Sequence, residues 1–90
     1  MPSPKAGKPK VALLVAFGAE VRARRQALGY SQESFGDRCG IDRSYMGGIE
    51  RGEHNLALIN VFRIIDALEL KSSEFFAGLD GLTNSGRRKK

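Results

Sequence analysis

The sequence contains few of the residues that build disulfides, metal sites or catalytic centres. Its 90 residues include no tryptophan, one cysteine, Cys39, and one histidine, His54. A single cysteine cannot close an internal disulfide, and one distant histidine does not complete a metal site. No nucleophile has a base nearby, and no glycine-rich phosphate loop is present. The sequence therefore predicts no enzyme, no metal site and no cofactor, and Cys39 is predicted to be a buried thiol.

Proline is confined to the first ten residues, where it alternates with small and basic residues. Residues 81–90 are similarly small, polar and basic. Segments of this composition bury too little apolar surface to stay ordered. We therefore predict a flexible basic arm over residues 1–10, one domain over residues 11–80 and a flexible basic tail over residues 81–90. The length agrees with a single domain.

The net charge of +5 is concentrated in these two ends of the chain. Seven of the 15 lysines and arginines lie there, whereas residues 11–86 hold eight basic and all ten acidic residues. The central region is therefore net negative, and the total charge does not by itself indicate a nucleic-acid surface. A binding surface has to be sought in the positions of individual side chains.

The segment that follows the arm is predicted to form a first helix. An apolar run over residues 11–17 follows three lysines and resembles a short secretory signal. However, an apolar stripe at helical spacing continues from it through Val21 to Leu28, which favours a helix over residues 11–28. The run is much shorter than the roughly 18 apolar residues that a membrane-spanning helix needs. We therefore predict no membrane contact.

Two short helices separated by a tight turn are predicted in the centre of the chain. Ser31 can cap a helix that ends near Cys39. Gly40 can adopt the left-handed conformation of the turn, and Asp42 can cap the following helix. This order of caps and turn residues predicts a helix-turn-helix over residues 31–51.

The remaining apolar pattern predicts two more helices. One covers residues 57–68, with apolar residues at helical spacing: Leu58, Val61, Phe62, Ile65 and Leu68. The other is short and is capped by Ser72 or Ser73. No alternating pattern typical of a strand is present. The predicted fold class is all-α, a compact five-helix bundle.

The sequence resembles the Xre/Cro-like family of phage repressors and bacterial regulators over residues 17–79. The matching residues are Arg22 and Arg25, Ser31-Gln32-Glu33, Gly40-Ile41 and Ile49-Glu50-Arg51-Gly52. The resemblance implies the phage-repressor type of DNA-binding domain, in which the third helix enters the major groove of double-stranded DNA. Among these proteins, controllers of restriction-modification systems look most similar, on the residues Arg51-Gly52, Asn55, Leu58 and Asn60. A general repressor, a phage regulator and an antitoxin that mainly grips a protein partner remain alternatives.

The third helix, over residues 43–51, is predicted to read the DNA. Its buried side is set by Met46 and Ile49, so the opposite side must face outward. The candidate base-reading residues on that side are Arg43, Ser44, Gly47 and Gly48. Arg43 is the best candidate because its guanidinium can donate two hydrogen bonds to guanine. The two glycines depart from the family pattern and predict a close backbone approach to DNA, with more dependence on DNA shape.

Contacts to the phosphate backbone are expected around this helix. Gln32 stands at the start of the second helix, where free amides attract an anion, and the resemblance implies a phosphate contact there. The other candidate backbone contacts are Ser31, Tyr45, Arg38, Arg51 and Asn55. The resemblance also implies a structural salt bridge between Arg25 and Glu50.

A homodimer is expected because the chain carries more apolar residues than one small core can bury. Phe75 and Phe76 are adjacent and cannot both face the same core. The candidate interface residues are Phe75, Phe76, Leu79 and Leu82. The expected partners are thus double-stranded DNA and a second copy of the chain, with RNA polymerase as a further candidate. No small-molecule ligand is expected, and the expected location is the cytoplasm, at the nucleoid.

Overall fold

The turn and cap residues place five helices along the part of the chain that the structure, a computed structural model, describes, which is residues 11–80. The helices are α1 (Ala12–Ala27), α2 (Gln32–Cys39), α3 (Arg43–Glu50), α4 (Leu58–Ala67) and α5 (Ser72–Ala77). No strand occurs among these residues. The all-α prediction is confirmed, with helix bounds close to those expected. The arm, the tail and Leu82 lie outside the described residues.

The helix-turn-helix is defined by hydrogen bonds at its caps. The Ser31 hydroxyl accepts a hydrogen bond from the Ser34 backbone amide at 3.0 Å, and the Ser34 hydroxyl accepts one from the Ser31 amide at 3.0 Å. Gly40 ends α2 with a φ of 74°, a conformation that strains any residue with a Cβ atom. Asp42 then accepts a hydrogen bond from the Ser44 amide at 2.9 Å and starts α3. The cap hydrogen bonds and the turn at Gly40 therefore set the position of α3 relative to α2.

The start of α5 differs from the prediction. The N-cap is Lys71, not Ser72 or Ser73. The Glu74 carboxylate accepts a hydrogen bond from the Lys71 backbone amide at 3.1 Å. An acidic residue in the first turn thus satisfies the amide that precedes α5, and it also interacts favourably with the helix dipole.

The core lies between α3 and the helices that surround it. Helix α3 packs on α1 and α2, α2 packs on α4, and α4 packs on α5. The largest fully buried side chains are Phe35, Phe75, Met46, Ile49, Ile64 and Val21. Phe75 packs edge-on against Phe17 at a ring centroid distance of 5.3 Å. Phe75 and Leu79 are both buried in this core, although Leu79 also lines a surface groove described below, and their place in a dimer interface stays a prediction. Phe76 alone of the three described candidates remains exposed.

Helix α4 buries part of the stripe that its apolar spacing predicts, namely Ile65 and Leu68 with a half-buried Val61, and it also buries Ile64. Ile64, Ile65 and Leu68 are buried, whereas Leu58 is 70% exposed and Phe62 is 44% exposed. Two apolar stripes overlap on this helix, and the core takes the one that contains Ile64 together with Ile65. The other stripe is left on the surface.

Helices α1 and α3 approach each other backbone to backbone at Gly18. A Cβ atom added to Gly18 would lie 2.7 Å from the carbonyl oxygen of Glu50 and would also contact that of Ile49. Real Cβ atoms do not come this close to a backbone oxygen. Glycine at this position therefore lets the inner side of α3 pack tightly against α1.

Cys39 lies in the core, as its place in the apolar pattern predicts. Burial raises the pKa of its thiol to about 11. The thiol therefore stays protonated at neutral pH, whereas reactive cysteines have a lowered pKa. Within the described residues, no helix is long and apolar enough to cross a membrane.

Candidate nucleic-acid interface

A buried ion pair fixes the inner side of α3. Arg25 of α1 donates two hydrogen bonds to the Glu50 carboxylate, from Nε at 2.7 Å and from Nη2 at 3.0 Å. Its third nitrogen, Nη1, donates to the backbone oxygen of Tyr30 at 2.7 Å. The pair predicted from the family pattern is thus present, and it is bidentate, which is the strongest geometry for a guanidinium and a carboxylate. It joins α1, the connection before α2 and the end of α3.

Gln32 adds α2 to this network. Its side-chain amide nitrogen donates a hydrogen bond to Oε1 of Glu50 at 3.0 Å. The predicted phosphate contact of Gln32 therefore cannot use this N–H without breaking the bond to Glu50. The side chain links the first turn of α2 to the last turn of α3 instead, and its backbone amide remains part of the helix N-terminus.

The first turn of α3 presents Arg43 and Ser44 to solvent, as predicted. Both the Arg43 guanidinium and the Glu33 carboxylate are 68% exposed, and they form an ion pair of 3.6 Å between α3 and α2. The Ser44 hydroxyl donates to Asp42 at 2.8 Å. This hydrogen bond, together with those from the amides of Ser44 and Tyr45, holds the pKa of Asp42 below its ordinary value. Arg43 is therefore the long cationic side chain on the outer surface of this turn.

The two glycines of α3 lie on its outward side, as predicted, but neighbouring side chains cover them. Gly47 is covered by the ends of the Arg51 and Gln32 side chains, which lie 3.2 and 3.5 Å from the place of a Cβ atom. Gly48 is covered by the ring of His54. Both residues are buried although they occupy the outward side of the helix. Neighbouring side chains fold over the space that each glycine leaves.

His54 is a residue that the sequence reasoning did not place at this surface. Its ring stacks on Tyr45 with a centroid distance of 4.1 Å and an interplanar angle of 15°. The stack lies beside α3, with both residues half-buried. The one indication in the sequence is the lack of side chains at Gly47 and Gly48, which leaves space on the outer side of α3. Helical periodicity does not show which loop residue fills that space.

Two arginines predicted to contact phosphate are engaged within the protein. Arg38 donates to the backbone oxygen of Ala67 at 3.0 Å and to the Glu69 carboxylate at 2.8 Å, so it links α2 to the end of α4. Arg51 donates to Glu53 at 2.9 Å, which raises its pKa. For Arg38, one carbonyl oxygen at a helix C-terminus and one exposed carboxylate accept hydrogen bonds from its guanidinium, and the side chain is 38% exposed. The phosphate contacts of Arg38 and Arg51 stay predictions.

Asn55 is exposed and lies at a groove formed by α1, α4 and α5. The groove has a volume of about 290 Å³ and is lined mainly by apolar side chains. Leu13, Leu58 and Phe76 form part of its wall, and Phe62 packs edge-on against Phe76 at a centroid distance of 6.5 Å. These four residues, which we call the apolar face, bring the exposed stripe of α4 together with α1 and α5.

The sequence matches the family model HTH_3, described as Helix-turn-helix, over residues 21–75. It is 33% identical over 67 residues to control protein C.MunI of Mycoplasma sp, an alignment that covers 73% of this chain and 90% of that protein.

Two solved structures have the same fold. The restriction-modification controller protein C.AhdI from Aeromonas hydrophila is 44% identical with a TM-score of 0.70, and the match covers 73% of this chain and 100% of C.AhdI. The controller protein C.Esp1396I, solved as a tetramer in complex with its natural 35 base-pair operator, is 26% identical with a TM-score of 0.74. That match covers 83% of this chain and all of the C.Esp1396I chain.

Proposed function

Because this chain belongs to the helix-turn-helix family HTH_3, we propose that it is a transcription regulator that binds a specific double-stranded DNA operator as a homodimer. The family consists of regulators and not of enzymes, and we propose no catalytic activity for this member. The observation that carries the proposal is the two-sided construction of α3. Its inner side is fixed by the buried pair of Arg25 and Glu50, while Arg43 and Ser44 extend from its outer side.

The width of the DNA major groove suits this arrangement. A helix fits into that groove, where the base edges present distinguishable patterns of donors and acceptors. Helix α3 would enter with its first turn leading, so that Arg43 reaches a guanine with two N–H groups and Ser44 contacts a base or a phosphate. The backbone amides at the start of α2, next to Ser31 and Gln32, would contact a phosphate. In this position the Arg43 side chain would leave its weak, exposed ion pair with Glu33 and contact the DNA instead.

Arg43→Ala tests the assignment of base reading. We expect the affinity for the preferred operator to fall about tenfold to a hundredfold, because a bidentate arginine–guanine contact contributes about 1–3 kcal/mol of discrimination. The preferred sequence, selected from a random DNA pool, should lose its preference at the base pair that Arg43 reads. Arg63→Ala removes the same charge from an exposed position on α4 and is the matched control, with little expected change. Equal losses in both variants would show that Arg43 acts only through its charge.

A second copy of the chain is the occupant that we propose for the apolar face. The stripe of α4 that the core leaves exposed continues onto Leu13 and Phe76, and a cluster of exposed apolar side chains around a groove is typical of a surface that contacts another protein. The operator complex of C.Esp1396I contains several copies of that controller. Two-fold symmetry would place two copies of α3 about 34–36 Å apart, which is one turn of DNA.

Phe76→Glu tests this interface. We expect the wild-type protein to sediment as a dimer at micromolar concentrations and the variant to sediment as a monomer, because a charge would be buried in the apolar contact without a partner. Leu28→Glu, at an exposed leucine that does not line the groove, is the control and should remain dimeric. A wild-type monomer at high micromolar concentration, or a dimer in both variants, would contradict the proposal.

Within the family, we propose the role of a restriction-modification controller. The similarity to C.MunI and to C.AhdI supports this role over the phage-regulator and antitoxin alternatives. Such a protein would act on DNA in the bacterial cytoplasm. The operator recovered by selection would then be expected upstream of genes for a nuclease and a methyltransferase, and its position in the genome is the observation that tests the role.

A further inference from the structure

The middle of the outer side of α3 carries no side chain of its own. Met46 and Ile49 point into the core, which places Ser44 and Gly48 on the opposite side of the helix, four residues apart on the same face. Ser44 has a short side chain that already donates to Asp42. Beyond the first turn, the surface that would face the DNA is therefore formed by the side chains that lie over the two glycines, those of Arg51 and Gln32 over Gly47 and that of His54 over Gly48.

The imidazole of His54 lies over Gly48. A Cβ atom added to Gly48 would come within 2.7 Å of Cδ2 of His54 and would also meet Nε2. The ring therefore stands where the first atoms of a helix side chain would be. Its position is supported by the parallel stack on Tyr45, which is one of the residues that flank the outer side of α3.

We propose that His54 supplies, from the loop after α3, the DNA-contacting group that Gly48 lacks. The inference rests on the proposed function, since it concerns the same DNA surface. A neutral imidazole offers one N–H donor and one nitrogen acceptor. In the major groove, the donor can meet N7 or O6 of guanine, or the acceptor can meet an amino group of adenine or cytosine. Glycine at position 48 is then required for the ring to be seated, and the stack on Tyr45 holds the plane of the ring.

Four proteins test this assignment: the wild type, His54→Ala, Gly48→Ala and the double variant. His54→Ala should bind the selected operator about tenfold more weakly, the effect of one lost base contact, and selection from a random pool should show relaxed preference at one position. Gly48→Ala should cause a similar loss and relax the same position, because the added methyl group displaces the ring. The double variant should bind no more weakly than His54→Ala alone.

Comparison of these four proteins also separates two roles of Gly48: seating the His54 ring, or allowing a close approach of the DNA backbone to the helix. If Gly48→Ala weakens binding as much in the His54→Ala background as in the wild type, the glycine serves a close approach of the DNA, and the proposal is overturned. Unchanged affinity and unchanged sequence preference in His54→Ala would overturn it as well. Circular dichroism melts should show that Gly48→Ala folds, since alanine favours a helix by about 1 kcal/mol over glycine. A wild-type protein that selects no DNA sequence would contradict the proposed function itself, a result distinct from these.

Discussion

Replacing Arg25 with alanine is expected to lower the free energy of unfolding by about 3–5 kcal/mol, because it leaves a buried carboxylate without its cation. The Glu50 side chain is only 2% exposed, and Arg25 donates both of the short bonds that neutralise it. The amide of Gln32 would remain as a hydrogen-bond donor but carries no charge. A domain of this size is stabilised by only about 5 kcal/mol or somewhat more, so the variant should be close to unfolding at 37 °C. Urea denaturation followed by circular dichroism measures the change.

The neighbouring ion pair provides the control. Arg24 donates to Glu20 at the same distance, 2.7 Å, but its side chain is 38% exposed, and the two residues are four apart on α1. Arg24→Ala should therefore cost no more than about 0.5 kcal/mol. The double replacement Arg25→Met with Glu50→Leu should recover most of the stability, since an apolar pair can fill a buried site that a lone charge cannot. Equal effects of Arg24→Ala and Arg25→Ala would refute the importance that we give to burial.

Gly18→Ala is the second large effect that we expect, with a loss of about 2–3 kcal/mol in the free energy of unfolding. The added methyl group would meet the backbone oxygens of Ile49 and Glu50, which cannot rotate away as a flexible side chain can. Helices α1 and α3 must separate to admit it, and the short bonds of the Arg25 pair would lengthen. The loss is expected although alanine has a higher helix propensity than glycine by about 1 kcal/mol. Thermal and urea denaturation both measure it.

Gly78→Ala adds the same methyl group where the surroundings can yield. Its φ of −67° suits any residue, and the nearest atoms belong to the end of the flexible Glu20 side chain, 3.1 Å away. We expect a change within about 0.5 kcal/mol, or a slight gain because alanine restricts the unfolded chain. If Gly18→Ala were as mild as Gly78→Ala, the close approach of α1 and α3 would have no energetic consequence.

The parts of the fold that local chemistry determines could be predicted. Ser31 and Asp42 cap α2 and α3, and Gly40 adopts a positive φ between them, because these residue types satisfy free amides or tolerate that conformation almost independently of their surroundings. The same holds for the inner side of α3, where Met46 and Ile49 are three residues apart. The family pattern supplied the Arg25 pair, which no spacing rule could have joined across 25 residues of sequence.

The parts that depend on which surfaces meet could not be predicted. Helix α4 carries two overlapping apolar stripes, and periodicity alone cannot choose between the one with Phe62 and the one with Ile64. An interface with a partner makes a helix apolar on the side that a lone domain would keep polar. Long side chains add a second uncertainty, because Arg38 can reach either solvent or the end of α4, and the sequence does not show which.

The position of the His54 ring over Gly48 has a consequence for how such a regulator can diverge. A residue within a recognition helix is under two selective pressures at once, because the same side chain must be compatible with the helix and its packing and must also contact a particular base. In the assignment proposed above, the second task falls on a loop, and loops accept substitutions more readily than the elements they connect. Changes at position 54 could therefore alter the preferred operator while the helix keeps its packing. A pair of duplicated genes could acquire separate targets through one codon, without passing through an unfolded intermediate.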